Sequence, residues 1–351
     1  MIQTITGNPE FVFTLKGKQA TFMLALSNTA TVDIEGITQA GIPGMIHLTP
    51  VLDAEFVTTG QVASMPSVAE TPKGVPTPAL ITRAVHMLKP FGHIELLDLG
   101  LSQLPQTDAT LHHFDITPSS NIAEGANIDA QIVFEKGKAF GANYTVTDDY
   151  LILGESVPSG TTTAATTAVA LGLEVQGLFS SSFKEVPDNI RQQTIDAALA
   201  NIEGVTDIWQ RLGSVSDNML LFVAGFMVGV NGRFPLLLAG GTQMACALLL
   251  ADKLARHIGH SFCGDNVALV TTKWVARDPH SDIKALLEMN SFDAKALYAD
   301  FDFSLSNHPA LKLYDEGEAK EGVGAGGALV YGYLTKLNLK EITQQIERLL
   351  I

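Results

Sequence analysis

Short apolar runs alternate with helix-forming stretches through the second half of this 351-residue chain, and that alternation constrains its fold more than any other feature. Residues 150–153 (YLIL), 234–239 (FPLLLA) and 267–271 (VALVT) read as strands, and 219–223 (MLLFV) as a further one. Helices are expected over 161–171, over 189–202 with Asp188 as N-cap and Gly204 just past the end, and from 242 to about 257. Strands without polar alternation are buried on both faces, and strands that alternate with helices pair in parallel. The expected class is therefore α/β: a doubly wound, mainly parallel, Rossmann-like three-layer sheet, with a smaller helical subdomain from the N- and C-terminal segments. In the first half, 44–48 (GMIHL) and 94–99 (IELLDL) read as strands, 66–78 as a loop and 79–88 as a helix. Residues 105–127 are irregular and polar, a surface segment or a cover over a site. The C-terminus reads as helices over 325–337 and 339–350, the second capped by Asn338 with Glu341 completing a capping box.

Several function classes are excluded. A net charge of −15 and a pI near 4.9 argue against a nucleic-acid or anionic-membrane partner, because both require a positive field. The most apolar region, 219–251, is split at Asn231-Gly232-Arg233 and again at 240–243, so neither piece is a membrane span. Two cysteines, Cys246 and Cys263, make no disulfide framework, and the N-terminus shows no signal peptide; a reduced, cytoplasmic protein is expected. The G-x-x-x-x-G-K-[ST] loop is absent, and no G-x-G-x-x-G follows a strand, which removes nucleotide hydrolases and dehydrogenases. His257, His260, Cys263 and Asp265 form the best metal candidate, but both histidines fall at a helix end, where they interact with terminal carbonyls. Adjacent His112 and His113 point opposite ways on an extended chain. No metal and no cofactor is expected.

Three strand–turn–helix junctions are rich in small polar residues: 154–163, 239–243 and 316–328. In an open parallel sheet, ligands bind at the carboxyl ends of strands, where helix N-termini favour anions. Two carboxylates stand at these junctions. Glu155 ends a strand and enters the Ser/Thr turn, and Glu321 precedes a glycine-rich stretch. Either one, in a water-poor cleft, has the means to act as a general base. Lys184 is a lone cation in a weakly charged region and a candidate partner for a phosphate.

These segments resemble those of a known family. "LGESVPSGTTTA" resembles the G-E-x-x-x-G-N-T-T segment of the nicotinate-nucleotide:dimethylbenzimidazole phosphoribosyltransferase family. "KEGVGAGGAL" resembles that family's L-G-E-G-[ST]-G-A-A segment, and "FKEVPDNIRQQTI" its lysine-bearing stretch. "GVPTPALITRA" and "PLLLAGGTQMACALLLA" look like the divergent branch of the family. The likeness spans most of the chain and is weakest before about residue 88.

The resemblance implies transfer of 5-phosphoribose from nicotinate mononucleotide to an aromatic base, for the lower ligand of cobalamin-type cofactors. It implies Glu321 as the base and Glu155 facing the ribose. It also implies phosphoribosyl binding by Gly160, Thr161, Thr162, Lys184, Gly240, Gly241, Thr242, Gly322 and Gly324. It implies small-molecule partners, a nucleotide and a base, and a homodimer. On this reading 1–88 forms part of the acceptor pocket or a small subdomain, 89–325 the phosphoribosyl-binding core, and 326–351 helices packing on the small subdomain. One departure is Ser156-Val157-Pro158-Ser159, where the family is richer in glycine. Two alternatives stay open. One is a phosphoribosyltransferase using a pyrophosphate donor, although Gly154 stands where that signature has its first acid. The other is a non-catalytic nucleotide-binding protein of the same fold.

Overall fold

The computed structural model describes residues 1–185 and 188–350. Its strands are β1 (Ile2–Thr6), β2 (Ala20–Leu26), β3 (His93–Asp98), β4 (Thr110–His113), β5 (Tyr150–Ser156), β6 (Leu236–Ala239), β7 (Val267–Thr272) and β8 (Lys295–Ala299). They form one eight-stranded sheet in the order β1-β8-β7-β6-β5-β2-β3-β4. Every neighbouring pair is parallel except β1–β8 at one edge. The doubly wound α/β fold expected from the sequence is the fold observed.

The strands feed two apolar layers because successive side chains point to opposite faces. Leu151 and Leu153 of β5 enter one layer, while Tyr150 and Ile152 enter the other; β2, β6 and β7 divide in the same way. The first layer is covered by the helices Ala130–Asn143, Gly160–Ala170, Asn218–Val230 and Thr242–His257. The second is covered by Ala79–Leu88, Ala325–Leu334 and Leu339–Leu349. The first 88 residues thus give β1 and β2 to the common sheet, and the last helix packs on Ala79–Leu88. Asn338 and Glu341 form the expected capping box. The helix Asp188–Ala200 starts at the expected cap residue, whose side chain, like residues 186 and 187, lies outside the described residues.

Strand order reverses between β2 and β5. From β2 the chain steps outward through β3 and β4; from β5 it steps the other way through β6, β7 and β8. The crevice at such a switch point opens above the carboxyl ends of the two strands. Here those ends are Ala25 and Leu26 beside Glu155 and Ser156.

Two strand expectations are corrected. Residues 219–223 lie in a helix, Asn218–Val230, capped by the Asp217 carboxylate, which accepts the Leu220 N–H at 2.9 Å. A run apolar on all sides carries no period, so only its 13-residue length argues for helix over strand. Residues 44–48 are no strand either: Ile46–Leu48 is one 3-10 turn leading into the helix Thr49–Thr59. The irregular 105–127 segment contains β4, which pairs with β3.

The Asn218–Val230 helix lies backbone to backbone on Ala130–Asn143. A Cβ added to Gly225 would stand 2.1 Å from the Phe134 carbonyl oxygen, and one added to Gly137 equally close to that of Phe222. Gly225→Ala must push the helices apart and is expected to cost about 1–3 kcal/mol, read as a lower urea midpoint at unchanged m-value. A midpoint equal to wild type would show that the contact yields without cost. No helix among the described residues is long and apolar enough to cross a membrane.

Candidate active site

A pocket opens at the switch point. Its walls come from the turn after β5, the turn after β6, the serine loop 180–182 and the segment 318–323. The first 88 residues supply the remaining wall through 38–41, Asp53 and 75–78. Gln39 ties that wall to the core: its Nε2 donates to the Ser182 and Glu318 carbonyls at 2.5 and 3.0 Å.

Glu155 is the next-to-last residue of β5 and is 6% exposed. One carboxylate oxygen accepts the Val157 N–H at 3.2 Å. Burial, then the nearby Glu321 and Asp217 carboxylates, push its pKa up to about 8. Glu321 is held more firmly. Its Oε2 accepts the Thr272 N–H at 2.9 Å and the Thr271 hydroxyl at 3.2 Å, and its Oε1 accepts the Gly326 N–H at 2.9 Å. Burial pushes it up to about 7, against the pull of the Gly326, Gly322 and Thr272 amides.

The backbone brings the two acids to one wall. Gly322, Val323 and Gly324 have φ values of 138°, 54° and 68°. Positive φ in a β-branched residue is strained, at about 1–3 kcal/mol. Two hydrogen bonds hold Val323 there: its N–H donates to the Glu155 carbonyl, and its carbonyl accepts the Thr82 hydroxyl, both at 2.8 Å. Gly154 allows the approach, since a Cβ on it would stand 2.9 Å from the Gly324 Cα. At the end of β6, a Cβ on Gly240 would point to within 3.8 Å of Glu155 Oε1, and one on Gly241 to within 3.8 Å of Glu321 Cβ.

The pocket also gathers hydrogen-bond donors. The helices Gly160–Ala170 and Thr242–His257 both begin at it. Ser159 precedes the first with φ 68°, and its Oγ is buried without a partner among the described residues. Gln243, in the first turn of the second, lies against Gly160, and its Nε2 is likewise buried without a partner among those residues.

Of the residues singled out in the sequence, Glu155, Glu321, Gly160, Thr161, Gly241, Thr242 and Gly322 line this pocket together. Thr162, Gly240 and Gly324 are buried behind it. Lys184 is elsewhere. It is 47% exposed, lines the neighbouring cleft and stands 3.6 Å from Glu316. Two pocket residues escape a reading of the sequence. Lys320 is 6% exposed and pairs with Asp278 at 2.9 Å. Asp53 accepts the Thr77 and Ser156 hydroxyls, each at 2.7 Å, and burial pushes it up to about 6. An acid inside the apolar helix Thr49–Thr59 is its only signal. Among the described residues no group of His, Cys, Asp and Glu could hold a metal ion; His257 instead packs edge-on to Trp209.

No protein-family model matches the chain. Two crystal structures from Thermus thermophilus, one of nicotinate-nucleotide-dimethylbenzimidazole phosphoribosyltransferase and one of CobT, superpose on it with TM-scores of 0.57 at 18% identity. The first match covers 96% of this chain and 84% of that one, and likeness at this level shows a shared fold. In sequence, the chain is 32% identical over 342 residues to a UPF0284 protein of Saccharolobus solfataricus, covering 96% of this chain and 94% of the relative. It is also 32% identical over 337 residues to one of Sulfurisphaera tokodaii, covering 95% and 94%. Identity at this level across nearly the whole of both chains makes the protein a member of the UPF0284 family, built on the fold of the Thermus phosphoribosyltransferase.

Proposed function

We propose that the protein is a phosphoribosyltransferase that moves 5-phosphoribose from nicotinate mononucleotide to an aromatic base, dimethylbenzimidazole-like or purine. The product would supply the lower ligand of a cobalamin-type cofactor, and the enzyme would act as a homodimer. The observation that carries this reading is the pairing of two carboxylates, buried Glu155 and half-buried Glu321, with donors that have no partner among the described residues, in one switch-point pocket.

The donor's pyridinium is already a good leaving group. As its bond to the anomeric carbon breaks, the electron pair passes to the ring nitrogen and neutralises it. The acceptor nitrogen forms the new bond from the opposite face. The proton on the acceptor's N–H nitrogen then goes to Glu321, whose pKa near 7 suits a base working at neutral pH. Glu155 stabilises positive charge developing on the sugar. The amides at the two helix starts, with Ser159 and Gln243, receive the phosphate. The wall from the first 88 residues takes the acceptor ring. The described pocket lining holds no aromatic side chain, so Val75, Pro76, Pro78 and Val323 supply its apolar contact.

The test is nicotinate release from the mononucleotide with a panel of bases. At least one base should accelerate release, and added chelator should not slow it. Saturable binding with no release under any base would leave a non-catalytic binding protein. A magnesium requirement would point instead to a pyrophosphate donor.

A further inference from the structure

The donor carries a phosphate, yet the pocket is ringed by acids: Asp53, Glu155 and Glu321 all line it. Among the described lining residues Lys320 is the only lysine or arginine. Its Nζ donates to Asp278 Oδ2 at 2.9 Å and to the Phe183 carbonyl at 3.2 Å. An ammonium has three N–H donors, so one is left without an acceptor among the described residues.

Asp278 is built to hold that lysine still. Its side chain is 0% exposed, and it accepts the Ser180 hydroxyl at 2.6 Å, the Ser281 hydroxyl at 3.2 Å and the His280 N–H at 3.1 Å. These bonds and the Lys320 charge keep its carboxyl below the usual range although burial opposes them. The network runs on into the pocket: the Ser180 N–H donates to the Thr242 hydroxyl at 3.2 Å. Thr242 opens its helix beside Gln243, whose free Nε2 lies against Gly160. The spare ammonium proton, two orphaned side-chain donors and two helix starts therefore belong to one connected region of the pocket. Burying an ion pair is costly against an apolar pair of the same size, so a buried lysine is best explained by what it binds.

We propose that Lys320, seated on Asp278, is the cation that receives the 5′-phosphate of the nucleotide donor. The inference rests on the phosphoribosyl-transfer reading above. Lys184 stands at an ion-pair distance from Glu316, outside this pocket.

Ribose 5-phosphate is the probe, titrated by calorimetry into the full-length protein. Lys320→Met alone strands a buried carboxylate and endangers folding. The informative variant is Lys320→Met with Asp278→Asn, which removes both charges; its thermal melt confirms that it is folded. Ribose 5-phosphate should bind it about 10- to 100-fold more weakly than wild type, the loss expected for one charge-assisted hydrogen bond. Ribose, which lacks the phosphate, should bind both proteins equally. Preference for nicotinate mononucleotide over its nucleoside should fall by the same factor. Four results would overturn the assignment: undiminished ribose 5-phosphate affinity in the double variant; an equal loss for ribose; no ribose 5-phosphate binding by wild type; or loss on Lys184→Ala instead. If ribose 5-phosphate binds through Lys320 but no base accepts the phosphoribosyl group, the transfer reading fails and this site stands.

Discussion

Glu321→Gln should slow base-dependent nicotinate release by about 10²- to 10⁴-fold, the usual worth of a positioned general base. The wild-type pH profile gives the sharper test. Burial pushes Glu321 up to about 7, and a base works only when ionised. Wild-type kcat/KM should therefore rise with pH through about 7, where Glu321 ionises, and on to about 8, where Glu155 does, and level off above that. The variant removes the group that titrates near 7, so its residual rate should keep only the limb near 8 that Glu155 sets. Structural damage alone has a different signature. The Glu321 oxygens face the fixed amides of Thr272 and Gly326, so the NH₂ of a glutamine must meet one of them. That mismatch would lower the whole profile but leave its midpoint in place. A variant whose profile keeps the limb near 7 would remove Glu321 as the base.

The residues that carry this chemistry are partly legible in the sequence, for local reasons. A strand ending in Gly-Glu before a Ser/Thr-led helix can form only one kind of junction, and β5 with the helix Gly160–Ala170 forms it. Glu155 and Glu321 are each visible as an acid at such a junction. What brings them together is not local: the Val323 bond to the Glu155 carbonyl and the Gly154–Gly324 contact join segments far apart in the chain. The lysines show the same limit. Lys184 lies in a stretch resembling a phosphate-binding segment, but the fold turns it to the neighbouring cleft. Lys320 is hidden beside Glu321, because adjacent residues on a non-helical backbone send their side chains different ways. Its role depends on Asp278, 42 residues upstream, which no spacing rule connects to it. Residues 219–223, inside the helix Asn218–Val230, read as a strand for the opposite reason. Burial on every side erases the period that identifies a helix.

Glu155→Gln should make the protein more stable and nearly inactive. The Glu155 pKa is about 8 in the folded chain, against an ordinary 4.5. The folded state therefore binds this proton more tightly than the unfolded state, so rising pH works against folding across the interval between the two values. Sign and window follow directly: wild type loses stability from about pH 4.5 to about pH 8, and the loss is complete above that. The glutamine is never charged, and its carbonyl oxygen keeps the Val157 N–H bond. The variant's advantage should be small near pH 5 and reach the order of 2–5 kcal/mol above pH 8, read as a growing difference in urea midpoint. Release of nicotinate should fall by about 10²- to 10³-fold, because a neutral amide cannot answer positive charge on the sugar. Proton release distinguishes this account from simple repacking. The donor's pyridinium charge favours ionised Glu155, so binding near pH 7 should release a proton from wild type, seen as a buffer-dependent calorimetric heat, and release less from the variant. If the stability difference is constant from pH 5 to 9, Glu155 is not the strained acid of the pocket, and the role given to it at the sugar loses its physical basis.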